Sequence, residues 1–343
     1  MKKILEVNDL TVAFKTINGD KNAVNHISFD LFEKDFIGLV GESGCGKTVA
    51  TQTMLGIQSK NAIIKSGSVK LRDIEVLGLS DKEWKKYRAR NIATVFQEPG
   101  SALNPLMKVG AQIEEVLKIH YDFDKERRRE LVYKTMENVG LRDVENLYDK
   151  YPHELSGGMQ QRIVICIALI ANPNVLIADE PTTALDAKVQ AQIIDLFRDL
   201  GHIYNGAILF ISHDLNLIDR ICKKVMIMYA GRLVEKGETK DVIGNPLHPY
   251  TKALLKAVPN YKKRGEALYN IKGHVPDLKN RSNEGCPFAD RCDHTMEICT
   301  KTFPERYEID GHRVHCHLYG GQNGWDFKNR KYKQNLQGFV HSL

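Results

Sequence analysis

A chain of 343 residues is too long for one ordinary domain and comfortable for two. Apolar residues make up 42% and charged residues 27%, proportions of a soluble globular protein that exclude the disordered and fibrous classes. The formal charge of +6 suits a phosphate ligand, a nucleic acid or an anionic membrane surface, and selects none of them.

The longest apolar run, Ile163–Ala171, has nine residues, short of the roughly 18 to 20 needed to cross a bilayer. The start MKKILEVNDLTV has no secretory apolar stretch, so a chain that begins and stays in the cytoplasm is expected. Alternation from Leu5 to Phe14 and from Val24 to Leu31, broken at Asn18-Gly19-Asp20, predicts two half-buried strands joined by a turn. Phe36–Val40 is a compact apolar strand, and Gly67–Arg72 and Asn91–Phe96 are further strands. From Pro105 to about Leu147 the pattern is helical and charged, and DKERRRE (124–130) reads as a solvated helix face. Val175–Ala178 and Ala207–Ile211 are apolar without alternation and each follows a helical stretch, which predicts an α/β domain with a mainly parallel sheet. Val225–Tyr229 and Leu233–Glu235, around Ala230-Gly231-Arg232, predict a closing hairpin. Prolines, histidines and cysteines accumulate beyond Asn245, so a boundary near residue 250 is expected.

Gly41-Glu-Ser-Gly-Cys-Gly46-Lys47-Thr48 has the spacing GxxxxGK[ST] between a strand and a helical segment. Backbone amides from Gly41 through Ser43, Gly44, Cys45 and Gly46 to Val49 would surround phosphates at a helix N-terminus. Lys47 would reach the β- and γ-phosphates, and Thr48 would supply a hydroxyl to Mg²⁺. Asp179 ends the apolar strand Val175–Ala178, where a carboxylate can hold Mg²⁺, and Glu180 beside it is placed to polarise an attacking water. The chain is expected to bind a nucleoside triphosphate with Mg²⁺.

Leu155-Ser-Gly-Gly-Met-Gln-Gln-Arg162 closely resembles the signature of the ATP-binding cassette (ABC) ATPases. The resemblance covers about residues 1–250 and implies the cassette fold: a P-loop, RecA-like α/β core with an antiparallel β subdomain and a helical subdomain at about 98–165. It also implies that two cassettes pair head to tail, so that Ser156, Gly157, Gly158 and Gln160 close over the partner's nucleotide. On the same ground Phe14 is the aromatic that stacks on adenine and Gln97 touches Mg²⁺ and senses the membrane partner. Ala184-Leu185-Asp186 is the loop coupling the cassettes, and His213 is the switch histidine, catalytic together with Glu180, Lys47 and Gln97. Two stretches, VFQEPGSALNP (95–105) and NPLHPYTKALL (245–255), resemble the oligopeptide and dipeptide importers within the family, a group that also contains nickel importers. The second stretch reads as a family marker made of a proline-turned loop running into a helix, not as a site.

Cys286, Cys292, Cys299 and Cys316 are separated by five, six and sixteen residues, without the tight C-x₂-C pairs of common zinc ribbons. Four thiolates suit a [4Fe–4S] cluster or a looser zinc site, with His294, His315 and His317 near enough in sequence for mixed ligation. The resemblance to peptide-importer ATPases carries over the [4Fe–4S] assignment to these four cysteines, in an extension spanning 251–343. Cys45 occupies a variable position of the phosphate loop, where a tolerated small residue is the expected reading, although a helix N-terminus would lower its thiol pKa and make it sensitive to oxidation. A basic group, Lys328, Arg330, Lys331 and Lys333, reads as a solvated tail.

The family further implies an ATPase subunit on the cytoplasmic face of the plasma membrane, bound to two transmembrane permease subunits. A second ABC ATPase chain and an extracytoplasmic peptide-binding protein complete the set of partners, with no nucleic acid. A soluble ABC ATPase of ribosome or DNA work would carry two cassettes or a long coiled-coil insertion. A non-hydrolysing cassette would lack Glu180 or His213.

Overall fold

The computed structural model of the chain describes residues 1–17, 19–183, 185–258 and 269–320. Asn18, Ala184 and the basic group after residue 320 therefore lie outside the described residues. The strands are β1 (Lys3–Thr16), β2 (Gly19–Phe32), β3 (Phe36–Val40), β4 (Ala62–Leu71), β5 (Ile74–Glu75), β6 (Ile92–Val95), β7 (Val175–Asp179), β8 (Ala207–Ser212), β9 (Lys224–Tyr229), β10 (Arg232–Glu238), β11 (Arg306–Ile309) and β12 (His312–His315). One sheet of order β2-β1-β4-β5 is antiparallel, and its alternating apolar residues face one side. The other has the order β11-β12-β10-β9-β3-β8-β7-β6. Strands β9, β3, β8, β7 and β6 run parallel, as the unalternating apolar segments require of a sheet covered on both faces.

Period-2 geometry divides the large sheet's side chains between two cores. Phe36, Leu176, Ala178, Ile208 and Phe210 enter the core shared with the helices. Ile37, Leu39, Val175, Ile177, Leu209 and Ile211 enter the core shared with the antiparallel sheet. Every residue of β3 and β8 is buried, which fixes the loops at their carboxyl ends on a rigid base.

Between β6 and β7 lies a helical insertion that includes helices Val109–His120, Lys125–Asn138, Val144–Tyr148 and Gly157–Leu169. The expected single helical region is broken by Tyr121–Asp124, where Asp124 caps the next helix by accepting from Arg127 N–H at 2.7 Å. Val109, Ile113 and Leu117 form one buried face, and Val132 and Met136 meet it from the second helix. The DKERRRE run is only partly the solvated face expected. Arg128 turns inward and donates to the buried Glu114 carboxylate at 2.8 Å, while Tyr148 donates to its other oxygen at 2.5 Å. Arg129 lies over the Tyr148 ring at 4.8 Å.

The hairpin of β9 and β10 closes through Ala230 and Gly231, the glycine at φ +89° with Ala23's carbonyl oxygen 2.7 Å from where a Cβ would stand. β12 then pairs with β10, so residues beyond 250 continue the large sheet. No helix among the described residues is long and apolar enough to cross a membrane.

Candidate active site

The parallel strands end on one rim, and the loops there carry most of the residues singled out from the sequence. Gly41–Gly46 connects β3 to the helix Lys47–Met54. Gly44 and Gly46 hold φ of +76° and +110°, and a Cβ on Gly46 would meet the Ala23 carbonyl oxygen at 2.5 Å. A Cβ on Gly41 would stand 2.2 Å from the Met228 carbonyl oxygen. These glycines let the loop coil tightly against β9 before the helix opens.

Lys47 is buried, and its ammonium lies across the loop, donating to the Gly41 carbonyl at 2.7 Å and the Glu42 carbonyl at 3.2 Å. It stands 3.8 Å from a Glu180 carboxylate oxygen. Asp179, at the end of β7, is held above the usual carboxylate range by burial and then by the neighbouring Glu180 charge, against Lys47 and a hydrogen bond with Thr48. A divalent cation beside Thr48 and Asp179 would offset the Glu180 charge. Glu180 takes φ +46°, a left-handed conformation rare outside glycine, and its Oε2 faces His213 Nδ1 at 3.3 Å and accepts from the Thr183 hydroxyl at 3.0 Å. Lys47, Thr48, Asp179, Glu180 and His213 thus form one cluster.

Among the described residues, no hydrogen bond or ion pair ties the other expected residues, those outside residues 41–49, to it. Gln97 is exposed two residues beyond β6, whose Val95 lies in register with Ala178 of β7. Phe14 is half-buried near the end of β1, opposite Lys21 and Ala62. Ser156 caps the helix Gly157–Leu169 by accepting from Met159 N–H at 3.4 Å, and Gly157 and Gly158 open that helix beside it. A Cβ on Gly158 would meet Val189 at 2.6 Å, which keeps this helix close to the one capped by Asp186. Asp186 accepts from Lys188 and Val189 N–H at 3.1 and 3.0 Å. Gln160 donates to the Pro152 and Leu155 carbonyls, so its amide supports the signature turn rather than projecting from it. Among the described residues no hydrogen bond or ion pair joins this exposed signature to the phosphate loop of its own chain.

Cys45 fits the reading as a tolerated small residue and not the oxidation-sensitive one. It is fully buried under the loop, and burial pushes its thiol up, outweighing Lys47 nearby. A buried, protonated thiol is a poor target for oxidation.

The four clustered cysteines line one cavity together with His248. Burial, helped by charge on the other cysteines, pushes the thiols of Cys286 and Cys316 up to about 12. Cys286 N–H donates to the Cys299 carbonyl at 2.7 Å, which ties two parts of the cluster together. The soft donor set fits an iron–sulfur or zinc group in kind. Among the described residues, however, no three His, Cys, Asp or Glu side chains have the spacing of a formed metal site.

Three residues with a part in this region were not found by sequence reasoning. Tyr250, taken as part of a family marker, accepts a hydrogen bond from the Glu42 N–H of the phosphate loop at 3.1 Å. Arg291 forks onto the Glu42 carboxylate at 2.9 and 3.2 Å, and Arg281 donates to the Gly44 carbonyl. No spacing rule flags an arginine that acts from 237 or 249 positions away; only the fold brings it there.

A glycine-rich loop on a parallel sheet, facing two strand-end carboxylates and a histidine, defines a P-loop ATPase of the ABC class. The model of the ABC transporter family matches residues 24–183, and that of the oligopeptide/dipeptide transporter C-terminal region matches 234–299. The chain is 41% identical over 320 residues to the dipeptide transport ATP-binding protein DppD of Bacillus subtilis, covering 93% of this chain and 95% of that one. It is 44% identical over 301 residues to the oligopeptide transport ATP-binding protein OppD of Salmonella typhimurium, covering 88% and 89%. Among solved structures it resembles a dimeric ATP-binding cassette in a post-hydrolysis state with ADP and phosphate, at TM-score 0.61 and 25% identity, over 69% of this chain and 99% of the other. The chain belongs to the oligopeptide/dipeptide transport ATP-binding proteins, and it is an ATPase.

Proposed function

We propose that this chain is the ATP-hydrolysing subunit that drives import of dipeptides or oligopeptides through a membrane complex. The observation that carries the reading is the convergence of Lys47, Thr48, Asp179, Glu180 and His213 at one rim, in a chain whose relatives are peptide-transport ATPases. Residues 1–250 are the nucleotide-binding unit and 251–343 its extension. The amides of residues 41–49 and Lys47 hold the phosphates, Phe14 stacks on adenine, and Thr48, Asp179 and Gln97 hold Mg²⁺. Glu180 accepts a proton from the attacking water, and His213, bonded to the same carboxylate, orients it toward the γ-phosphate.

The Ser156–Gly158 turn, exposed at Ser156 and Gly157 and not bonded to its own phosphate loop among the described residues, supports head-to-tail pairing with a second ABC ATPase chain whose nucleotide it covers. Asp186 sits in the loop linking the two sites. Exposed Phe96, next to Gln97, and exposed Leu106 offer apolar contacts to two permease subunits, in keeping with a position on the cytoplasmic face of the plasma membrane. A peptide-binding protein outside the membrane joins through the same complex. Cys286, Cys292, Cys299 and Cys316 hold a [4Fe–4S] cluster that staples the extension, supported by their shared cavity and by the unpartnered, buried His248 Nε2 beside it. Iron and acid-labile sulfide in anaerobically purified protein, lost on Cys→Ser change, test that assignment.

The functional test is affinity purification from detergent-solubilised membranes with identification of the co-purifying chains. Two polytopic subunits, a second ATPase and a peptide-binding protein are expected. Ribosomal or DNA-repair proteins instead, or a nickel-binding protein, would overturn the peptide reading.

A further inference from the structure

The phosphate loop is gripped from outside by the segment that bears the cysteines. Arg291 has a side chain only 6% exposed and donates through both terminal nitrogens to the two oxygens of Glu42. Its guanidinium is itself fixed: Nη1 donates to the Tyr229 hydroxyl at 3.1 Å, and Nε donates to the Lys272 carbonyl at 2.7 Å. Arg281, also buried, donates to the carbonyls of Gly44 and Ala23. Among the described residues no carboxylate forms an ion pair with Arg281, so its contacts to the loop are to backbone oxygen.

An anion-binding loop must turn N–H groups toward the phosphates and its carbonyl oxygens away. Gly44, at φ +76° with open space around it, has nothing of its own to enforce that orientation. A guanidinium on its carbonyl enforces it, and a second one locks the side chain of Glu42 two residues earlier. Arg291 lies between Cys286 and Cys292, both on the cysteine cavity, so the fold of that segment sets the position of the clamp.

We propose that Arg281 and Arg291 are positioning residues for ATP binding, through which the cysteine-bearing segment holds the phosphate loop in its anion-binding conformation. This rests on the reading of residues 41–48 as the ATP site. Mg-ATP affinity of the full-length chain, measured with a fluorescent ATP analogue, tests it in Arg281→Ala, Arg291→Ala, Arg291→Lys and Glu42→Gln. Each alanine variant should bind about tenfold or more weakly, the scale of one lost hydrogen bond to a charged group, with partial recovery in Arg291→Lys. Glu42→Gln decides by its sign. Removing a negative charge beside a triphosphate strengthens binding if the pair acts only through its field, whereas release of the loop weakens it. Weaker binding by folded Glu42→Gln supports the clamp; unchanged or tighter binding overturns it, even if the arginine variants do not fold. Failure of the wild-type chain to bind ATP would instead overturn the ATP-site reading.

Discussion

Glu180 concentrates the site's chemistry in one side chain. It carries a left-handed backbone angle, which costs energy in a non-glycine residue, and it shares one carboxylate oxygen between His213 and Thr183. Those contacts hold it facing Lys47 without consuming its other oxygen. Glu180→Gln preserves size and the Thr183 contact and removes the proton acceptor. ATPase turnover should fall about 100-fold or more, while ATP affinity stays within a few fold. Single-turnover hydrolysis and equilibrium nucleotide binding on the same sample separate the two. The pattern of this residue was legible in the sequence because a strand-end carboxylate after a phosphate loop has few other uses. The Arg291–Glu42 fork was not, since neither residue has a local pattern and the pair is 249 positions apart.

Two elements show where periodicity speaks and where it stops. The helix Val109–His120 was readable from its apolar stripe, but the buried Glu114 on it was not, because its partners come from two other helices. Burial opposes the Glu114 charge, yet Tyr148, Arg128 and Lys118 together hold its carboxyl below the usual range. Arg128→Ala leaves that carboxylate buried with part of its compensation gone, and should destabilise the chain by about 3 kcal/mol, read from urea unfolding. A similar loss from Lys125→Ala, on the exposed side of the same helix, would contradict this account.

The second element is the helix Pro249–Ala257. A proline suits its first position, where no backbone N–H is needed, and His248 caps it by accepting from Tyr250 N–H at 3.0 Å. Accepting at Nδ1 requires a neutral ring, and burial lowers this histidine from 6.5 to about 4. In the window between those values the unfolded chain binds a proton that the folded chain does not. Stability therefore falls as pH drops from about 6.5 toward 4, by roughly 1–2 kcal/mol at pH 5. Urea midpoints from pH 7 to 5 measure the slope, and His248→Asn, which keeps a capping oxygen, should flatten it.

At the scale of the molecule, the parallel sheet, the strands of the antiparallel sheet, the phosphate loop and the strand-end carboxylates rest on contiguous patterns, whereas His213 was reached only through the family resemblance. The extension was less legible. Its strands are four residues long, and β12 is added to β10 across more than 70 positions, a pairing that only tertiary contact specifies. The cysteine-bearing segment and the ATPase core therefore share one sheet, and Arg281 and Arg291 of that segment touch the phosphate loop. The central claim, that ATP hydrolysis at this rim drives peptide import, is tested most directly by uptake. In vesicles carrying the complete complex, labelled di- and oligopeptides should accumulate only with ATP inside, and Glu180→Gln should abolish the uptake. Accumulation of nickel without peptide, or peptide uptake unaffected by Glu180→Gln, would contradict it.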